Sequence, residues 1–232
     1  MYPSARRPTS IPTSFLYWPE AVRILSVLLA PLEEFERHSD PSDMIAAAEI
    51  AAQTSAIAGS PFGDLGLVPA SLWMLGQGAR FVMPTCTFPS EYGSRFAPPN
   101  SYGVFYAGCD RATAIAESAY HFVRRRRELG SYAVEADFGA DMRVLVADIQ
   151  ATVTDLRGQR ANFPDLYDLH NYSAAQTFGS ELHAAGASGI SYDSVRQSTG
   201  ECIAVFHPVC IHSCLDAGTI TYDWDGTQLT VR

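Results

Sequence analysis

The chain has 232 residues, 47% hydrophobic and 18% charged, with 17 Gly and 14 Pro, a composition that excludes disordered and fibrous proteins. All 16 basic residues are Arg, which rules out a Schiff-base lysine, a Ser-Lys dyad and a phosphate-binding P-loop lysine. The 25 acidic residues set the net charge at -9, so direct nucleic-acid binding and attraction to an anionic membrane are not expected of the molecule as a whole.

The segment to Pro19 carries four prolines and several Ser and Thr, and is read as an extended arm over residues 1–20 of one domain spanning 1–232. It lacks the unbroken apolar core of a signal peptide, and no run approaches the roughly 20 apolar residues of a membrane span, so a cytoplasmic location is expected. Arg23 to Leu29 reads as a short strand, Asp43 to Ala58 as an Ala-rich helix, and Gly59 to Gly78 as loop. Phe81 to Phe88 and Tyr102 to Ala107 read as strands on either side of turn material. The strongest helix follows. Asp110 is its expected N-cap, Ala112, Ile115, Ala116, Ala119, Phe122 and Val123 its apolar stripe, and Arg124 to Arg127 its last turns.

Beyond it, Tyr132 to Phe138 and Met142 to Ile149 read as strands, and Tyr172 to Ala185 as a helix stopped by Gly186. Gly189 to Tyr192, Glu201 to His207, Thr219 to Trp224 and Gln228 to Val231 read as further strands. Strands outnumber helices and come in runs, which gives an α+β fold with a largely antiparallel sheet core.

Several residue types could carry chemistry. Arg95, Tyr106 and Glu117 follow one another at equal intervals of eleven positions: an Arg before a strand, a Tyr at the strand, and a Glu in the next helix. On the helical wheel Glu117 lies away from the apolar stripe with Thr113, Tyr120 and His121 nearby. It reads either as a solvated surface acid or as a carboxylate lining a polar cleft, where it would stabilise developing positive charge. Arg95 reads equally as a loop cation paired with an acid or as a fork for phosphate oxygens, and Tyr106 as a core aromatic or a site residue. Ser194 lies in a turn between two strands, and no G-x-S-x-G elbow surrounds it. Cys202, His207, Cys210, His212 and Cys214 form the densest Cys/His cluster, but they contain no C-x-x-C pair, so no metal is expected. Five Cys over so long a chain fit free thiols in a reducing compartment.

Two blocks carry a resemblance. SRFAPPNSYGVFYAGCDRATAIAESAYH resembles the Arg-to-Glu block, and GISYDSVRQSTGECIAVFHP the Ser block, of the RES-domain family, the toxin halves of bacterial toxin-antitoxin pairs. RILSVLLAPLEEFE and AAQTFGSELHAAGASGI extend the likeness over about Arg23 to Pro208. APPN after Arg95 and Ser198-Thr199-Gly200 in the second block depart from the family pattern.

The resemblance implies an ADP-ribosyltransferase-like α+β fold around an NAD+ cleft, with NAD+ as the substrate. It implies Glu117 as the catalytic carboxylate, Arg95 and Tyr106 as catalytic and NAD+-binding residues, and Arg23 and Ser194 as further NAD+ contacts. It also implies a cognate antitoxin, Xre-like with a helix-turn-helix. The implied reaction is cleavage of the nicotinamide-ribose bond with transfer of ADP-ribose to phosphate or water. Mono-ADP-ribosylation of a protein acceptor and an inactive NAD- or partner-binding module are the alternatives.

Overall fold

The computed structural model describes residues 11–29, 31–54, 62–128 and 138–232. In chain order the strands are β1 Thr13–Ser26, β2 Phe105–Gly108, β3 Phe138–Asp155, β4 Gly189–Asp193, β5 Glu201–Val205, β6 Ile211–Trp224 and β7 Leu229–Val231. The helices are α1 Glu34–Arg37, α2 Pro41–Thr54, α3 Ala79–Thr87, α4 Arg111–Glu128 and α5 Ser173–Ala184. The strands form one sheet in the order β1-β2-β5-β4-β3-β6-β7. All pairings are antiparallel except β3 with β4. β1 also pairs with β3 over most of its length, so the first five strands of that order close into a ring from which β6 and β7 extend. The expected α+β class with a largely antiparallel sheet is what the chain adopts.

Side-chain alternation along the central strands divides the interior. Phe105, Ala107, Ile203 and Val205 face a large core with Phe35, Met44, Trp73, Val82 and Met83, from the side of α1 to α3. Tyr106, Cys202 and Ala204 face a second core, shared with Leu166, Tyr167, Ile190, Tyr192 and α5. A third cluster, Val22, Met142, Val144, Ile220 and Tyr222, receives α4. Among the described residues no helix is long and apolar enough to cross a membrane.

Several local expectations change. From Thr13 onward the stretch read as an arm is strand, because Leu16 is buried and the backbone pairs with β3 from Thr13 to Ser26; residues 1–10 lie outside the described residues. The strand expected at Phe81 to Phe88 is helix α3. Its residues are β-formers by composition, but Phe81, Val82, Met83, Cys86 and Thr87 are buried together at helical spacing, and packing overrides propensity. The strand expected at Tyr132 to Phe138 lies outside the described residues up to 137, as does the helix expected at Asp43 to Ala58 beyond Thr54. β3 and β6 run well past the limits expected for them, because each pairs along a long partner.

α4 is capped as its sequence requires, with Asp110 Oδ1 accepting from Thr113 N at 2.7 Å. Ala114, Ile115, Ala119 and Phe122 form its packed face, whereas Ala112 is exposed. Its first turn is drawn tightly onto the sheet. A Cβ at Gly108 would stand 2.8 Å from Ala114 N, and one at Gly200 would stand 2.4 Å from Thr113 Oγ1. α5 ends in a Schellman turn, with Gly186 at φ +76, Gly186 N donating to His183 O and Ala187 N to Leu182 O.

Candidate active site

α4 and the turn between β4 and β5 meet at one hydrogen bond. Ser194 Oγ donates to Glu117 Oε1 at 2.6 Å, joining residues 77 positions apart. The direction of that bond is set locally, because Ser194 Oγ accepts from Arg196 N at 3.1 Å and Gln197 N at 3.0 Å. With both acceptor positions of the hydroxyl occupied, its single proton points to the carboxylate. Ser194 N donates to Gly200 O and Arg160 Nη2 to Ser194 O, and Ser194 is only 3% exposed, so the turn is held from every side. Cys202 Sγ stands 3.9 Å from the same Oε1, and burial raises its pKa first, then the charge of Glu117, so it remains a neutral thiol donor. Glu117 is thus fixed by two donors on one oxygen.

Tyr106 and Arg95 stand around this pair. Burial pushes the Tyr106 phenol up to about 12; its oxygen shares a hydrogen bond with Ser94 Oγ at 2.8 Å and accepts from Phe96 N at 3.0 Å. The phenol therefore braces the turn that carries Arg95, while the ring packs against the second core. Arg95 is 8% exposed, and Nη1 donates to Leu166 O at 3.0 Å and Asp168 O at 3.1 Å, while its Cζ lies 4.6 Å from the Tyr172 ring centroid. Its other nitrogens make no hydrogen bond to the described residues, which leaves them for an anion.

The electrostatics tie these groups together. The Tyr192 phenol is raised by burial, then by Cys202, Glu117 and Tyr106, with Arg95 opposing. His121, one helical turn beyond Glu117, has its pKa lowered by desolvation; Glu117 opposes this, and Arg124, Arg196 and Arg95 reinforce it. A carboxylate, two guanidiniums and aromatic rings thus lie within electrostatic reach of one another, and the region they border is the candidate cleft, where the carboxylate can stabilise a cation and the guanidiniums an anion.

Arg23 is not brought to this cleft. Its Cζ lies 4.9 Å from the Phe105 ring centroid, on the face of β2 opposite the Tyr106 side chain, and its Nη1 donates to the Tyr106 main-chain oxygen at 2.9 Å. Burial lowers its pKa, with Cys214, Cys86 and Tyr106 opposing. Arg23 braces the strand that presents Tyr106, and the parity of β1 is what turns its side chain away from the cleft.

The Cys/His cluster also separates. Cys202 lies in the core beside the cleft and Cys214 in the core across the sheet, while Cys210 packs against the latter. Among the described residues no group of three or more His, Cys, Asp or Glu is placed to hold a metal ion. Tyr172 and Arg196 beside the cleft, and Tyr192 in the core behind it, are residues that the sequence reading did not single out. Arg196 sits two positions after Ser194 in the SVR triplet, and that spacing is the signal that could have found it.

The RES-domain family model matches residues 71–225, which include Arg95, Tyr106, Glu117 and Ser194 and leave Arg23 outside. No curated protein matches the chain. Among solved structures, a chain of the M. tuberculosis MbcT-MbcA toxin-antitoxin complex is similar at 15% identity and a TM-score of 0.39, covering 54% of this chain and 72% of that one.

Proposed function

This chain belongs to the RES-domain family, and from that premise we propose that it is an NAD+-consuming toxin whose cleft breaks the nicotinamide-ribose bond. The observation that carries the reading is the Ser194-Glu117 hydrogen bond of 2.6 Å, which holds a carboxylate in one orientation within a cleft that also contains guanidinium groups.

Heterolysis of the glycosidic bond sends its electron pair to the pyridinium nitrogen, releasing neutral nicotinamide and leaving an oxocarbenium-like ribose. The Glu117 carboxylate, held by Ser194 and Cys202, stabilises that positive charge without having to reorient. The free nitrogens of Arg95 take a pyrophosphate oxygen, and the Tyr106 ring packs against nicotinamide. An oxygen of phosphate, of water or of a protein side chain then bonds to the ribose carbon, and water and side-chain acceptors lose a proton in doing so. The partner expected with this activity is an antitoxin, Xre-like with a helix-turn-helix, that covers the cleft and supplies the DNA contact.

The test is mass spectrometry of the products after mixing purified protein with NAD+ and phosphate, with and without cell lysate, beside Glu117→Gln. Nicotinamide release by the wild type, reduced at least about 10³-fold in the variant, is the expected result. Undiminished release by Glu117→Gln would refute the role of the carboxylate. Free or phosphorylated ADP-ribose marks a small acceptor, whereas ADP-ribose on a lysate protein marks a selective transferase.

A further inference from the structure

Beside the Ser194-Glu117 pair runs a second set of contacts that bond cleavage does not use. The chain passes through a 3-10 turn at Pro164–Tyr167, and its tip, residues 168–171, is exposed before it enters α5. The tip is folded on itself by Asp168 Oδ1, which accepts from His170 N and Asn171 N at 2.7 Å each. It is held to the cleft through main-chain carbonyls. Arg95 takes Leu166 O and Asp168 O; Arg196 Nη2 donates to Leu169 O at 2.7 Å; and Tyr120 OH donates more weakly to the same oxygen at 3.4 Å.

Arg196 joins the two sides of this arrangement. Its Cζ lies 3.3 Å from the Tyr120 ring centroid, and Tyr120 follows Glu117 by three positions, on the same face of α4. The guanidinium therefore rests on α4 with its face and reaches the 164–172 segment with its edge, two contacts that only a planar cation makes together. Its Nε is buried without a partner, so the edge facing Leu169 is its only hydrogen-bonded anchor among the described residues.

Resting on the reading that this cleft takes NAD+, we propose that Arg196 is a positioning residue that clamps the 164–172 segment against α4 and so fixes the cleft wall against which the substrate binds. Its two ends have separate tasks. The Arg196 main-chain N–H orients Ser194, and every side-chain variant keeps it; the side chain alone holds the wall. The clamp acts on neutral carbonyls, so it closes the wall without consuming the charge of Glu117. It also keeps the segment near Arg95, whose remaining nitrogens serve the substrate.

The experiment measures nicotinamide release and amide hydrogen exchange on the full chain for Arg196→Ala, Arg196→Lys, Tyr120→Phe and Tyr120→Ala. Arg196→Ala should raise KM for NAD+ about tenfold with kcat within about threefold, because the wall contributes to binding and not to bond cleavage. Amides 168–172 should exchange faster in that variant while those of β4 and β5 do not. Arg196→Lys should not rescue either readout, since an ammonium cannot stack and fork at once. Tyr120→Phe, which keeps the ring and loses only the 3.4 Å bond to Leu169 O, should raise KM by less than about threefold, and Tyr120→Ala should match Arg196→Ala with no added effect in the double variant. Unchanged KM together with unchanged exchange at 168–172 would overturn the clamp, as would a fall in kcat at constant KM. If the wild type releases no nicotinamide, the proposed function fails, and the exchange data still decide the clamp.

Discussion

Ser194→Ala separates two roles that the cleft geometry allows for this serine. The substitution deletes a hydroxyl that donates to Glu117 Oε1 at 2.6 Å and accepts from Arg196 N and Gln197 N, at a site only 3% exposed. A hydrogen bond to a charged group contributes about 1.5–3 kcal/mol, so the loss of carboxylate orientation corresponds to a fall of about 10- to 100-fold in kcat/KM. Two main-chain N–H groups also lose their acceptor, which should lower stability by about 1–3 kcal/mol. In a chain of this length that is a fall of roughly 2–4 °C in Tm for each kcal/mol.

The assay is nicotinamide release by wild type, Ser194→Ala, Glu117→Ala and the double variant, with Tm measured on each. If Ser194 works by holding Glu117, adding Ser194→Ala to Glu117→Ala should cost less than about threefold. A full additional 10- to 100-fold loss in the Glu117→Ala background would refute the reasoning and make Ser194 a direct contact to substrate.

Two further predictions concern stability. Asp155 accepts from Arg157 at three nitrogens, from Ser14 Oγ and from Ser191 Oγ, so one carboxylate ties β1, β3 and β4 where the strand ring closes. Asp155→Asn should cost about 1–2 kcal/mol in urea unfolding at pH 7, as it removes one of the two carboxylates that hold Arg157 and leaves it with Glu201 alone in a partly exposed network. The Arg157 side chain, opposed by desolvation and then helped by Ser14, the Arg157 main-chain N–H and Ser191, holds the Asp155 carboxyl well below its ordinary range. Its stabilisation is therefore complete above the unfolded value of about 3.9 and is lost as pH falls below that toward the folded value, so the wild-type advantage over Asp155→Asn should shrink below about pH 4. Gly179→Ala in α5 should lower stability by about 1–3 kcal/mol, read as Tm, because its Cβ would stand 2.1 Å from the main-chain oxygen of Phe96 and the helix would have to move off the turn carrying Arg95.

Local rules made much of this chain legible in the sequence. Asp110 as the cap of α4, Gly186 as the stop of α5, and the short apolar strands β4 and β5 are each specified within a few residues, and each forms as its neighbours dictate. The even spacing of Arg95, Tyr106 and Glu117 also marked three residues that the fold gathers around Tyr192. That signal could not say whether Glu117 faces solvent or a partner. A helical wheel gives the direction of a side chain within its own helix and nothing about what stands opposite.

The sequence by itself determined the elements that close their own hydrogen bonds, the Arg-only cationic chemistry and the motif blocks of the family. Tertiary structure alone decided that α3 is a helix, since burial of Phe81, Val82 and Met83 on one core outweighs their preference for strand. It alone decided that Arg23 faces away from the cleft, because strand parity follows from the register of β1 on β3. It also brought Ser194 to Glu117 and Arg196 to Tyr120 across more than 70 positions, contacts that no local periodicity encodes because they exist only once α4 has docked on the closed strands.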